Sequence, residues 1–262
     1  MILSRVIEHM RHQHWTAVFL DLVVVVLGVF IGTNVTNWND AHKTKMKSHV
    51  YSQRLLKDLY IEYQHDLSLL DYQTTAKKAA LATFIGLTRP GTMGDRKLLI
   101  NAFRATQYEW FEQHRAAYDE LLSSGELDLI SKPQLRETAV VYYGNSATTF
   151  QLMQDDVRAS QYRALFFQLV DPAVEMALRR DCGDREYTTS GGVSGAFTIS
   201  YDCQLSVDDG AVKKAVAALR NDPRILPALR YQSAVADTET ANLTILLDQT
   251  GLKALFDKAP AH

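Results

Sequence analysis

The chain has 262 residues, 47% of them hydrophobic and 22% charged, which is enough for one large or two small domains and too apolar for disorder. Its net charge of -2, with Lys and Arg interspersed among acids, excludes the concentrated basic face that a nucleic-acid partner requires.

Residues 1–14 form a short tail, too small to fold by itself, that carries His9, His12 and His14. A metal site on a helix needs further ligands converging on such a group, and no second cluster is visible in the sequence. The three histidines therefore read as a solvated or headgroup-facing basic end.

From Thr16 to Val35 the sequence is TAVFLDLVVVVLGVFIGTNV. At a rise of about 1.5 Å per residue this length matches a hydrocarbon core of roughly 30 Å, so residues 15–38 are predicted to be a transmembrane helix. Trp15 and Trp38 bracket the run as interfacial anchors. The alternatives are a buried core helix, which the unbroken apolar length opposes, and a cleaved signal peptide, which the lack of an A-x-A-like site in GTNVTNWND opposes.

Positions seven and eleven apart fall almost in line on a helix, so Asp21, Gly28 and Gly32 share one face, continued by His14 and Asn39. The Gly28/Gly32 pair has the spacing that lets two helix backbones approach closely in lipid. This face is expected to meet the span of another membrane protein or of a second copy. Asp21 is expected to be protonated, close to the interface, or paired with a donor; a small shift of the helix along the membrane normal places it among headgroups instead.

Beyond Trp38 the apolar positions Leu55, Leu56, Leu59, Tyr63, Leu67 and Leu70 recur at helical spacing, with no Gly or Pro before Gly86, and predict one long amphipathic helix leaving the membrane. After TRPGTMGD, Asp95 is placed to cap a second helix that ends at Ser123-Ser124-Gly125. Ser131 and Gln134 form a capping signature, with Pro133 in the first turn of a third helix that is loosened at Gly144-Asn145 and stops near Asp171-Pro172. Helices are also predicted over DGAVKKAVAALRN and after Asp222-Pro223.

Cys182 and Cys203 flank a Gly-, Ser- and Thr-rich stretch with Gly191-Gly192 near its middle, which predicts a hairpin insertion at about 182–203 whose ends can meet in a disulfide. The alternative is two free buried thiols. A disulfide persists only in an oxidising compartment, so pairing places residues 39–262 outside the cytoplasm; the positive charges flanking the span do not settle its orientation. The expected fold class is mainly α: one transmembrane helix, then an antiparallel helical bundle with a small disulfide-closed β-hairpin.

No G-x-S-x-G, H-E-x-x-H, P-loop or C-x-x-C motif is present, so no catalytic residue, metal ligand or cofactor is assigned. His65-Asp66 and His114 stand isolated in the sequence and are assigned to surface or satisfied core. Tyr108, Trp110, Phe111 and Tyr118 are assigned to core rather than to a ligand pocket. The loop Ser123, Ser124, Gly125, Glu126 and Asp128 is the first candidate for a recognition surface, its simpler role being helix capping.

The segments DLVVVVLGVFIGTNVTNWND and AYDELLSSGELDLISKPQLRETAVVYY resemble an uncharacterised family of bacterial single-span membrane proteins, in which an acidic, glycine-bearing span ends in an N-N-W-N-like signature. The later block of that family reads roughly Y-x-x-L-x-S-S-G-x-L-x-L-I. Asp21 stands where the family usually has Glu, and Thr36 replaces the first Asn. The resemblance covers about the first half of the chain and implies an inner-membrane anchor, a cytoplasmic N-terminus and a helical periplasmic domain, with no activity attached. The function expected is that of a non-enzymatic accessory or assembly subunit of a membrane complex, or a self-associating anchor. A ligand sensor without its own output domain, and an enzyme of unrecognised type, are the alternatives.

Overall fold

In a computed structural model of the chain, residues 15–257 are described, without the side chains of 15–18 and of Asp21. The predicted tail with His9, His12 and His14, and the side-chain roles predicted for Trp15 and Asp21, lie outside the described residues.

Helix α1 runs unbroken from Trp15 to Thr88, about 110 Å at the usual rise, because neither Pro nor Gly occurs between Gly32 and Gly86. It contains a window apolar enough to cross a membrane, with mean hydropathy 1.5, and none of that window is buried. Thr33 and Asn34 hydrogen-bond back to Phe30 O, and Thr36 to Gly32 O. The polar side chains at the end of the apolar run are thus satisfied within the helix.

The helix then stands clear as a stem: residues from Asn39 to Lys47 are exposed, and the fold closes round α1 only from Ser48 and Tyr51 onward. The first part of the segment predicted as domain is therefore free helix. The buried stripe also differs from the predicted one. Leu55, Leu59 and Tyr63 face the core, joined by Leu69, while Leu56 and Leu67 are exposed.

Pro90 stops α1, and Gly91 turns the chain at φ +88°. Helix α2 (Asp95–Arg104) starts on Gly94, so Asp95 lies inside the first turn and is not its cap. The expected continuous helix to Ser124 is broken. Thr106 Oγ1 and Gln107 Nε2 both donate to Phe103 O, and Arg163 donates to Thr106 O, so side chains take carbonyls that a continuing helix would use. An irregular segment leads to α3 (Ala116–Ser124), closed by Gly125 at φ +69°.

A short 3-10 turn (Leu127–Leu129) leads into α4 (Pro133–Ala159), with Lys132 at the N-cap and no Ser131 side-chain cap. Gly144 does not interrupt α4. The helix ends at Ser160, whose hydroxyl accepts from Arg163 N and caps α5 (Gln161–Leu169); α6 (Pro172–Cys182) follows, capped by Asp171. Thus the single predicted helix is two, and α6 begins at Asp171-Pro172, where the sequence predicts a helix stop leading directly to the hairpin.

Strands β1 (Arg185–Tyr187) and β2 (Ala196–Thr198) pair antiparallel with Glu186 opposite Phe197. The predicted disulfide is present: Cys182 and Cys203 are bonded, Cα atoms 5.2 Å apart. Helices α7 (Asp209–Asn221), α8 (Ile225–Gln249) and α9 (Leu252–Phe256) complete the described chain.

Tyr63 meets Asp257 and Lys77 meets Asp237, so α8 and its continuation run antiparallel to α1. On the other side Ser160 meets Gln232 while Thr138 lies against Gly251, so α4 and α8 are also antiparallel. Two apolar cores are strung along α1. The nearer to the apolar segment joins Leu55 and Leu59 to α3, α4 and the end of α8; the farther joins Ala80 and Leu87 to α2, α5, α6 and α7. The hairpin packs on α1 between them through Tyr72, Ala76, Phe197 and Ile199.

Candidate functional site

On the apolar segment of α1, an added Cβ at Gly28 or Gly32 would meet nothing within 4 Å, so both glycines of the predicted interaction face are open within the described fold. Trp38 is 73% exposed and stacks on His42, 6.1 Å between ring centroids.

The candidate recognition loop sits about nine residues, or about 14 Å, beyond Trp38 along the stem. Lys47 Nζ donates to Glu126 at 2.7 Å, and Asp128 pairs with Arg136 at 2.6 Å. Ser123 and Ser124 donate to Glu120 O, and Gly125 supplies the left-handed cap. The loop therefore performs its capping role and is fastened to the stem through Glu126.

The chemically unusual region lies one level further along α1, where Glu62 and Asp66 are buried at positions that continue the inward stripe of Leu55 and Leu59. Tyr142 of α4 has its hydroxyl 2.8 Å from Glu62 Oε2 and 3.0 Å from Asp66 Oδ2. A phenol carries one hydrogen and donates to one carboxylate, so the second contact requires a protonated carboxyl group. Burial pushes both acids up, and for Asp66 the neighbouring Glu62 charge adds to that rise. Both acids are thus driven towards the protonated form, and the phenol and the two carboxyl groups share a proton beyond the phenol's own.

Glu62 Oε1 accepts from His114 N at 2.6 Å, and Asp58, one turn earlier, accepts from Ala117 N at 3.1 Å. Helix α1 thus supplies the N-terminal cap that α3 lacks from its own sequence. Tyr143 donates to His114 O at 2.6 Å, and Gln113 Nε2 donates to Ser146 Oγ at 2.6 Å. The irregular segment is pinned on both sides of His114.

This pinning sets His114 beside His65, 5.6 Å between ring centroids, although 49 positions separate them in sequence. His65 is buried and stacked on Phe111 at 4.3 Å, with the rings 11° from parallel. Its Nε2 donates to Ser194 O at 3.4 Å, while Nδ1 is buried without a hydrogen-bond partner. The two rings face a cleft of about 410 Å³ bounded by α1, the His114 segment and the hairpin tip. The tip is seated closely: Tyr60 donates to Gly191 O, and any side chain at Gly191 would collide with Tyr60 and Gln64.

His65 and His114 are thus brought together, against their assignment as isolated residues. The four aromatics do not converge. Phe111 lies on His65 and Tyr118 is core against Tyr143, but Tyr108 lies under Arg163 and Trp110 is half exposed. A larger cavity of about 690 Å³ lies between α6 and α7, whose N-termini are already occupied by the Asp171 and Asp208 carboxylates. Among the described residues no three His, Cys, Asp or Glu side chains are grouped to hold a metal.

No protein-family profile, curated protein or solved structure matches the chain.

Proposed function

We propose that the chain is a single-span membrane protein of the bacterial inner membrane that acts as a docking or assembly subunit and not as an enzyme, with its helical domain in the periplasm. Its Asp21/Gly28/Gly32 face packs against the span of another membrane protein or of a second copy, and the loop Ser123–Asp128 presents the domain's membrane-near end to that partner. The observation that carries this is the exposure of α1 from its apolar window to Lys47, with open space at Gly28 and Gly32, in a helix whose later part packs one face into two cores. In lipid, small residues that admit close backbone approach drive association where larger apolar side chains gain little.

Single cysteines at Gly28, Gly32 and the opposite-face Phe30 test the proposal by oxidative crosslinking in native membranes. Crosslinked species are expected from the two glycine positions and at most weakly from Phe30; equal crosslinking at all three, or at none, removes it. A second reading, a ligand sensor lacking its own output domain, is favoured only by the His65/His114 cleft. A rise in melting temperature with a small molecule would support it, since a ligand bound to the folded state stabilises by mass action.

A further inference from the structure

We propose that His65 and His114 form a two-histidine site for a divalent transition metal, Zn2+ or Cu2+, in the cleft between α1 and the hairpin tip. The inference goes beyond the docking reading and stands whether or not the span has a partner.

Two observations meet at this pair. The first is tautomer. A carbonyl oxygen only accepts, so the contact with Ser194 O places the His65 proton on Nε2 and leaves Nδ1 as a bare lone pair. Ring N–H donation to a backbone carbonyl is the usual way a metal-ligating histidine is oriented. Nδ1 is buried and has no donor to satisfy it, which a lone-pair acceptor such as a metal ion corrects.

The second is geometry. With metal-nitrogen bonds of about 2.0–2.1 Å and near-tetrahedral angles, two imidazoles on one ion have centroids about 5–6 Å apart. The observed separation of 5.6 Å falls there. His114 lies in a segment without regular secondary structure, yet its backbone is fixed at N by Glu62 and at O by Tyr143. Glu62 and Tyr143 are therefore positioning residues for the second ligand. Two coordination positions are left for water or an external donor entering between Lys57 and the tip.

The full chain in mild detergent, with His9, His12 and His14 changed to Gln to remove a competing cluster, is titrated with Co2+ and then Zn2+. One Co2+ per chain with tetrahedral visible absorption bands, displaced by Zn2+, is expected. Both His65→Gln and His114→Gln should weaken uptake at least ~10-fold, while Tyr143→Phe should weaken it less and leave the stoichiometry at one. His114 is exposed, so its variant keeps the fold, checked by an unchanged helical circular dichroism spectrum. Absence of saturable Co2+ uptake, or uptake unaffected by His114→Gln, overturns the proposal.

Discussion

Glu239 is a buried acid on α8 whose carboxyl is pushed up to about 7 from an ordinary 4.5 by desolvation, with the charge of Asp156 on α4 adding to it. A carboxyl group with a raised folded-state value binds its proton more tightly in the folded chain. Its contribution to stability is therefore full below about 4.5 and is lost as pH rises towards 7. At pH 8 the ionised, buried Glu239 costs about 3 kcal/mol. Glu239→Gln is expected to match the parent chain in denaturant unfolding at pH 4 and to exceed it by about that amount at pH 8. A variant no more stable at pH 8 would show that Glu239 is solvated or paired. Side-chain roles of this kind were only partly legible in the sequence. Glu62 and Asp66 fall on the same 3- and 4-spaced positions as Leu55 and Leu59, a signal that marks them as inward-facing without naming Tyr142 as their partner. Nothing local could pair His65 with His114, because the contact depends on where α3 begins and on a cap supplied from α1. Gly191-Gly192 was legible as a turn, but its two glycines serve different ends: Gly192 takes φ +80°, while Gly191 allows the tip to sit against Tyr60 and Gln64.

The disulfide joins the end of α6 to the segment after β2, at a sequence separation of 21, and the hairpin it closes seals one wall of the cleft. Closing a loop of that size stabilises by about 3 kcal/mol in the chain-entropy account. Changing Cys182 and Cys203 together to Ala is expected to lower the unfolding free energy by about that amount, with the greater part of the helical signal retained at room temperature. Loss of amide protection should centre on residues 183–202, whose contacts with α1 run through the Tyr60, Ser68 and Tyr72 hydroxyls. Uniform loss of protection across α4 and α8 would show instead that the hairpin supports the whole bundle. Pattern carried far at this scale: the long α1, the hairpin with its bridge, the start marked by Pro133 and the helix over DGAVKKAVAALRN are readable, whereas Asp171-Pro172, read as a stop, also opens α6. The breaks after α2 and α4 were not readable, since neither Gly nor Pro marks them. They arise from the side-chain bonds of Thr106, Gln107 and Ser160 to nearby backbone, which compete with helix continuation only once Arg163 and Gln232 are in place.

For the whole molecule, the unbroken run of α1 from the apolar window through both cores makes the apolar segment and the domain one rod with no linker between them. On the proposed docking reading, a displacement imposed on the apolar segment would be carried into the level of Glu62, Asp66 and His65 without an intervening hinge. The same continuity makes topology testable through the domain's only sulfur pair. If the domain lies outside the cytoplasm, a membrane-impermeant maleimide applied to cells with a permeabilised outer membrane should label the chain only after an impermeant reductant, because the two thiols are joined and Cys182 is fully buried. The chain should also remain with membranes through alkaline carbonate, since an apolar helix crossing the bilayer is not released by breaking surface electrostatics. Labelling without reductant, labelling only after the inner membrane is lysed, or release into carbonate would each reverse the orientation or remove the span, and with it the proposed docking face.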